Sequence, residues 1–349
     1  MRVLICPDRM GPLPSSVAAN SLATGWPEAT TRTVGEAGQA FVEATADRWQ
    51  APLQTAVLDG ALLQTARSAD AVVLGLSAAR PNRPDSPIPY ASSSLLLGRA
   101  IETELRAHRP RRLLVDLAGV DGHDAGAGLL AGLGATGSGA SLTDGVAGLT
   151  GLTGVDLSAA RALLQDVELV GVLPTPERSD QLLGLRGITS RRGRAADENP
   201  AVLLSTDAAL QQLTDLVAPD VAATPGAGAC GGLGWAVLAL GGRLTTGPDL
   251  LLADVTGGYD LVVTGCGVFD FASRGGGVVA AAAERAAASL APCIVVAGEV
   301  LIGAREMRTM GIEAAYAVRE SSLDEPTGGD LTEAELVTTV TRVSRSWRW

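Results

Sequence analysis

The stretch VVTGCGVFDFASRGGG at residues 262–277 predicts an α/β fold with a site at one edge of its sheet. An apolar run, YDLVV at 259–263, precedes two glycines around Cys266 and then Asp270. Three glycines follow, and the alanine-rich segment VVAAAAERAAASLA at 278–291 predicts a helix. A buried strand that leads through a glycine-rich turn into a helix is where α/β proteins usually place their chemistry.

The rest of the chain alternates in the same way. Thr332 with Glu335 three residues later matches the capping box at the start of a helix. Short apolar runs predict strands at 2–6, 71–75, 112–117, 260–264, 293–297 and 315–318. Helices are predicted at 15–24, 39–49, 94–107, 158–165, 207–216, 233–240, 278–290 and 332–344. Strands that alternate with helices indicate a Rossmann-like, doubly wound α/β domain.

Two segments, 51–89 with its PNRPDSPIP and 141–200 with its arginine-rich part, interrupt the alternation. We therefore predict a discontinuous Rossmann-like domain of residues 1–50, 88–140 and 201–349. A smaller inserted α/β domain would comprise 51–87 and 141–200. The strands that end at Leu117 and Thr264 are expected to run parallel in one sheet, so that the turns after them open at its carboxyl edge.

Composition excludes several classes of function. The net charge of −11 disfavours non-specific binding to nucleic acid or anionic membranes. All 27 basic residues are arginine, so mechanisms that need a lysine are excluded. No apolar run reaches the length of a membrane span, and the N-terminus MRVLICPDRM lacks the pattern of a signal peptide. Four scattered cysteines predict reduced thiols in a cytoplasmic protein, with no disulfide and no structural metal.

Two further glycine-rich turns follow predicted strands: LAGVDGHDAGAGLLAGLG at 117–134 and PGAGACGGLG at 225–234. Glycine lets the backbone approach a ligand closely, and a helix N-terminus presents free N–H groups to an anion. Three such turns favour a phosphate-bearing ligand. The alternative is that tight strand-to-helix turns use glycine for geometric reasons alone. None of them is a Walker loop, because the lysine is absent.

In their order, these segments resemble the glycerate kinase family, over most of the chain. The resemblance is carried by PGAGACGGLGWAVLALGGRLTTGPDLLL at 225–252, by the stretch at 262–277 with PCIVVAGEV at 292–300, by DAGAGLLAGLG at 124–134 and by QLLGLRGITS at 181–190. It implies two α/β domains with the active site in the cleft between them. It also implies phosphorylation of glycerate or a similar small hydroxy acid by ATP with Mg²⁺.

The resemblance also assigns candidate residues. The predicted catalytic residues are Asp8, Asp124 and Asp270, and Asp270 is the predicted magnesium ligand. Glu177 and Asp180 occupy the places of the family's aspartate and asparagine in the second domain. The predicted substrate- or nucleotide-binding residues are Glu36, Gly38, Ser92, Ser93, Gly126, Gly128, Gly226, Gly228, Gly265, Gly267, Ser273 and Arg274.

Several charged positions of the family are replaced. The family has glutamate, arginine, glutamine and lysine at the positions of Cys266, Val268, Ala272 and Gly277. We therefore expect glycerate phosphorylation to be at least about a thousandfold slower than in a family member that keeps these residues. Arg9 or Arg274 would supply a substitute cation, or would be solvated loop arginines. Asp8 and Asp270 would hold ligands, or would cap the turns that follow them. Cys266 is expected to fill space, and His123 to be a polar loop residue.

Three hypotheses follow: a kinase that acts on a small acid, a catalytically impaired paralogue that binds ligands or regulates (a pseudoenzyme), and a structural partner of another protein. The expected ligands are a glycerate-like acid and a nucleotide, with no nucleic acid and no membrane. Trp347 and Trp349 in the SRSWRW tail would form a docking surface or a homo-oligomer contact.

Overall fold

The computed structural model describes residues 1–77, 86–319 and 331–348. Its strands are β1 Val3–Ile5, β2 Thr30–Thr31, β3 Gln54–Leu58, β4 Ala61–Arg67, β5 Ala71–Ser77, β6 Arg112–Asp116, β7 Thr136–Ser138, β8 Gly154–Asp156, β9 Glu168–Leu173, β10 Arg243–Thr246, β11 Leu261–Asp270, β12 Cys293–Leu301 and β13 Ala314–Ala317.

The α-helices are α1 Ser15–Ala23, α2 Gln39–Trp49, α3 Leu95–His108, α4 Ala127–Gly132, α5 Ser158–Leu163, α6 Ile188–Ala195, α7 Pro200–Val217, α8 Ala229–Ala239, α9 Gly247–Leu251, α10 Gly276–Ala288, α11 Ala304–Thr309 and α12 Glu333–Ser344. Short 3₁₀ helices cover Val146–Leu149, Thr175–Glu177 and Pro219–Val221. In the described part of the chain, no helix is both long and apolar enough to cross a membrane.

Most predicted elements are present, because their local signals are strong. At α12 the Thr332 hydroxyl accepts from the Glu335 N–H and the Glu335 side chain accepts from the Thr332 N–H, which confirms the predicted capping box. The hairpin of β3 and β4 and the strand β9 were not predicted. The stretch at 262–277 also differs, since β11 does not end at Thr264 but pairs with β12 as far as Asp270.

The chain forms two compact units. The first unit comprises Met1–Glu36, Glu43–Gln50 and the described residues from Gly247 onward. Its five-stranded sheet is parallel throughout and has the order β13-β12-β11-β1-β2. The order reverses between β1 and β11, since β2 lies on one side of β1 and the last three strands lie on the other. Such a reversal opens a crevice beyond the carboxyl ends of the two strands.

The second unit comprises Ala37–Val42 and Ala51–Thr246. Its six-stranded sheet has the order β10-β9-β6-β5-β4-β3, with β5, β6, β9 and β10 parallel and the hairpin of β3 and β4 antiparallel. The described strands of this sheet follow chain order from one edge to the other, so the sheet contains no reversal. A separate small hairpin pairs β7 with β8.

The predicted division into domains is wrong in its boundaries, although an inserted α/β unit is present. Segments 88–140 and 201–246 belong to the second unit, which is the larger of the two. The strand that ends near Leu117 is in the six-stranded sheet and the strand through Thr264 is in the five-stranded sheet, so they do not share one. Both are continuous apolar runs, and such a run does not specify its neighbours. Residues 81–85 of PNRPDSPIP lie outside the described residues.

Candidate functional site

Asp8 lies at the reversal point of the five-stranded sheet. The chain leaves β1 through Cys6, whose N–H donates to the Val263 carbonyl at 3.0 Å. The Asp8 N–H then donates to the Gly265 carbonyl at 2.9 Å, so Asp8 stays beside β11 beyond the end of β1. The topology therefore places Asp8 at the crevice in which α/β sheets bind ligands.

The surroundings of Asp8 favour its protonated form. Burial, and to a smaller extent the nearby negative charge of Glu36, raise the pKa of its carboxyl group to about 6. The N–H of Arg9, which donates to Asp8 Oδ1 at 2.7 Å, acts in the opposite direction. A half-buried carboxyl group with a pKa near neutrality can accept a proton from a substrate and release it again.

Glu36 lies at the N-terminus of α10, where its Oε2 accepts from the Gly277 N–H at 3.1 Å. A carboxylate is stabilised there by the free N–H groups and the dipole of the helix. Gly276 has a φ of +80°, and no atom lies within 4 Å of the position a Cβ would take. The space beside the Gly276 Cα is therefore open, while its N–H donates to the Ser273 carbonyl at 2.9 Å.

Asp270 ends β11 and holds the turn that follows. Its Oδ1 accepts from the Ser273 N–H at 2.6 Å and from the Ser273 hydroxyl at 2.7 Å, and these bonds lower the pKa of the carboxyl group. Asp270 is therefore ionised near neutral pH and caps its own loop. This arrangement matches the structural alternative for Asp270.

In the described ranges, no three His, Cys, Asp or Glu side chains are grouped so that they could hold a metal ion. Magnesium in nucleotide enzymes is commonly held by one or two carboxylates together with substrate phosphates, which requires no such group. Ionised Asp270 fits that arrangement, with the remaining ligands supplied by a nucleotide and by water.

Asp124, in the second unit, is enclosed in a hydrogen-bond network. Its carboxylate accepts from the Ser94 N–H at 2.9 Å, the Ser94 hydroxyl at 2.9 Å, the Gly126 N–H at 2.9 Å and the Gly128 N–H at 3.1 Å. The Ser94 oxygen also accepts from the Leu129 N–H at 2.8 Å. Burial raises the pKa of the carboxyl group. Asp124 joins the N-termini of α3 and α4, and this structural role does not fit the predicted catalytic one.

The glycine-rich turn before α8 packs against protein instead of opening to a ligand. Cys230, Gly231 and Gly232 all have left-handed backbone angles, and a Cβ at Gly231 would overlap the Gly122 carbonyl oxygen. The Cys230 N–H donates to Glu177 Oε2 at 2.7 Å.

A Cβ would likewise meet neighbouring protein atoms at six predicted binding positions, Gly126, Gly128, Gly226, Gly228, Gly265 and Gly267.

A polar cluster surrounds this turn in the second unit. Arg191 forms a two-pronged ion pair with the buried Asp180. Arg192, which is 1% exposed, donates to Ser86, Gly122 and Asp121. The ion pairs and hydrogen bonds that hold these loops together are therefore largely buried.

His123 is a loop residue, as expected, and it is buried. Its Nε2 bonds the Thr189 hydroxyl at 2.9 Å and its Nδ1 lacks a partner among the described atoms. Burial and the charge of Arg192 lower its pKa to about 3.

Asp116, which sequence analysis missed, is buried at the carboxyl end of β6 and accepts from the Gly38 N–H at 2.7 Å. An acidic residue at the end of an apolar run was the available signal.

Comparison with known proteins decides the family. The model of the glycerate kinase family matches residues 3–348. The chain belongs to the glycerate kinase family.

An uncharacterized protein of Mycobacterium bovis is 33% identical, with 92% of this chain and 84% of that protein covered. A glycerate kinase of Bacillus cereus is 26% identical, with 68% and 65% covered. The fold also matches the structure of a Salmonella typhimurium LT2 protein whose assignment as glycerate kinase 2 is provisional. That match has a TM-score of 0.76, 22% identity and coverage of 99% and 97%. This likeness supports the fold alone.

At two positions where the resemblance implied charged motif residues, the structure shows other roles for the residues present. Burial raises the pKa of the Cys266 thiol to about 12, and the charges of Asp8 and Asp270 act in the same direction. A thiol with so high a pKa is not a nucleophile, and Cys266 fills space as expected. Val268 is 43% exposed and apolar, so it brings no charge.

The two candidate substitute cations differ in this glycerate kinase family member. Arg9 Nη2 is bound to Glu43 Oε2 at 2.6 Å. The Arg274 guanidinium lies 5.9 Å from the centre of the Phe271 ring and forms no ion pair among the described residues. Arg274 is thus the available cation on the turn between β11 and α10.

The remaining predicted residues have local roles. The Ser92 hydroxyl donates to the Asp121 carbonyl, and the Ser93 hydroxyl accepts from the Leu95 N–H at 3.3 Å. The Trp347 indole N–H donates to the Tyr316 hydroxyl at 2.7 Å, so Trp347 packs partly within the first unit. Its role in a docking surface or homo-oligomer contact stays a prediction. Trp349 lies outside the described residues.

Proposed function

We propose that this protein transfers the γ-phosphoryl group of ATP to a hydroxyl of glycerate or a similar small hydroxy acid, at a low rate. The observation that carries the proposal is the Asp8 carboxyl group, with its pKa near 6, at the reversal point of a parallel sheet. Membership of the glycerate kinase family supports the substrate class.

The proposed reaction begins with Asp8 as the general base. Its carboxylate takes the proton of the substrate hydroxyl as that oxygen attacks the γ-phosphorus and the bond to the ADP oxygen breaks. Negative charge spreads over the phosphoryl oxygens, and the Arg274 guanidinium is the described group suited to meet it. Magnesium held by Asp270 and the nucleotide would supply further charge neutralisation.

The low rate follows from the missing charges. Cys266, Val268, Ala272 and Gly277 stand where the resemblance to the family implies glutamate, arginine, glutamine and lysine. Loss of one electrostatic stabiliser typically lowers a rate by on the order of 10²–10³-fold. We therefore expect turnover at least about a thousandfold slower than that of a family member that carries these charged residues.

A coupled assay of ADP formation with D-glycerate, ATP and Mg²⁺ tests the proposal. The Asp8→Asn variant should lose at least about a hundredfold of the remaining rate, and the exposed Asp47→Asn is the matched control that should keep it. The wild-type rate should rise with pH up to about 6 and then level off, because Asp8 must be ionised to act as a base. Turnover of several per second would contradict the predicted slowness, and an unchanged rate in Asp8→Asn would remove the proposed base.

The second candidate function is a ligand-binding protein without turnover. The replacement of charged motif residues by a buried thiol, Cys266, and an exposed valine, Val268, favours it. Calorimetry with ATP–Mg²⁺, ADP and glycerate separates the two candidates. Binding without ADP formation would support the impaired paralogue. No heat and no thermal shift at millimolar ligand would favour a structural partner instead.

A further inference from the structure

The second unit contains a cavity of about 460 Å³ at the amino-terminal edge of its sheet. The chain between α3 and β6 lines one side, and the end of α5 with the turn before β9 lines another. Its size is within the range of pockets that bind small molecules. β6 runs from Arg112 at this edge to Asp116 at the carboxyl edge, about 13 Å at 3.3 Å per residue.

The cavity is basic, in a protein whose net charge is −11. Arg106, Arg109 and Arg111 line it, and Asp166 is its acidic residue. An adjoining cavity of about 290 Å³ shares Arg109, Pro110 and Arg111 with it. The local charge is therefore opposite in sign to that of the chain, as a site that attracts anions requires.

Two of these arginines have no side-chain partner among the described residues, whereas their neighbours do. Arg67 is bound to Glu104 at 2.6 Å, and Arg112 is bound to Glu168 at 2.6 Å. Arg106 pairs with Glu102, one turn away, at 3.0 Å. The guanidinium groups of Arg109 and Arg111 have neither an ion pair nor a hydrogen bond to another described side chain. Their hydrogen-bonding capacity remains available.

The backbone that carries Arg109 and Arg111 is held in place. The Arg109 N–H donates to the Leu105 carbonyl at 3.1 Å, where the residue ends α3 in a left-handed conformation with φ of 41°. The Arg111 N–H donates to the Asp70 carbonyl at 2.8 Å, and the Arg111 carbonyl accepts from the Glu168 N–H at 2.8 Å. The buried Pro110 joins them. A fixed backbone with two free guanidinium heads lowers the entropy cost of binding an anion.

We propose that this cavity binds a small polyanion whose phosphate or carboxylate groups are held by Arg109 and Arg111. The guanidinium group is suited to both, because its planar donors match the oxygens of either anion. Two cations two residues apart favour a ligand with at least two negative charges over a single anion. The proposed function does not use this site, so each proposal can be contradicted without affecting the other.

Calorimetry at constant ionic strength, with inorganic pyrophosphate and citrate as separate probes, tests the proposal. Because either anion could also enter the Asp8 site, the measured quantity is the binding lost in the double variant Arg109→Gln/Arg111→Gln. We expect its Kd to rise at least about tenfold. The variant Arg342→Gln/Arg345→Gln removes the same charge from two exposed residues at the C-terminal end of α12, and it should change the Kd less than about twofold.

A charge change of opposite sign sharpens the test. Asp166→Asn removes the acidic residue of the cavity and should lower the Kd about threefold, since a like charge no longer opposes the ligand. A response to pyrophosphate alone would identify a phosphate ligand, and a response to citrate alone would identify a carboxylate ligand. The proposal is overturned if neither probe binds at millimolar concentration, or if both bind equally to Arg109→Gln/Arg111→Gln and the wild type.

Discussion

The carboxyl edges of the two sheets have similar sequences and different surroundings. In the first unit, the edge of the five-stranded sheet has a reversal of strand order, the half-buried Asp8 and open space at Gly276. In the second unit, the edge of the six-stranded sheet has no reversal, and Asp124 is saturated by N–H and hydroxyl donors. An acidic residue near glycines therefore marks an accessible site in one unit and loop packing in the other.

The largest expected difference between the two edges concerns their glycines. Gly231→Ala should lower the free energy of unfolding by about 4 kcal/mol, because the new Cβ would overlap the Gly122 carbonyl and φ is +69°. Gly276→Ala should cost only about 1–2 kcal/mol, since only its φ of +80° opposes the Cβ. Urea unfolding of both variants makes the comparison. Equal losses would show that the turn at Gly231 can open.

The next comparison replaces one carboxylate at each edge by an amide. Asp124→Asn should destabilise by about 3 kcal/mol at pH 7, because its NH₂ group would face N–H donors in a buried site. Asp8→Asn should leave stability unchanged or raise it by about 1–2 kcal/mol, because it removes a charge held near Glu36. If urea unfolding shows the reverse order, the assignment of structural and reactive carboxylates is wrong.

The two edges should also respond oppositely to pH. The pKa of His123 is lowered to about 3, so the unfolded chain binds its proton more tightly, and about 2 kcal/mol of stability is lost between pH 6.5 and 5. His123→Asn should remove this loss. The pKa of Asp8 is raised to about 6, so its contribution is present below about pH 4 and is lost as pH rises to 6. Unfolding measured from pH 4 to 7 for wild type, His123→Asn and Asp8→Asn checks both signs.

The smallest expected effect separates the two candidate cations of the first unit. Arg274→Gln should lower the rate of ADP formation about tenfold, since its guanidinium is the available one on the turn. Arg9→Gln should lower it less than about threefold, because Arg9 is neutralised by Glu43 at 2.6 Å. The coupled assay measures both, and a larger loss in Arg9→Gln would exchange their roles.

Local signals predicted the elements, and tertiary pairing decided where they lie. The signals for α12, its capping residues, and for β5, its apolar run, each lie within a few consecutive residues. These elements were therefore predictable from the sequence. Whether β6 pairs with β9 or with β11 depends on contacts between distant segments. The local sequence of a strand buried on both faces does not specify which strands pair with it. The predicted domain boundaries are therefore wrong.

The candidate site divides in the same way. Asp8 was predicted because an acidic residue follows an apolar strand and the motif resembles that of a family. Asp124 has the same local signal, yet its lone pairs are taken by Ser94, Gly126 and Gly128. Asp116 carried a comparable signal and was overlooked. Residue type and position thus identified the candidate carboxylates. Only the hydrogen-bond donors around each one distinguish an accessible carboxylate from a structural one.

By itself, the sequence determined the family and the α/β class, because these depend on which side chains are present and in what order. The tertiary structure decided which glycines are open, which carboxylates are saturated and which arginines lack partners. Each of these properties depends on atoms far apart in the chain, such as Glu36 and Gly277 or Asp70 and Arg111. Access and protonation are set by such neighbours, and residue spacing alone does not record them.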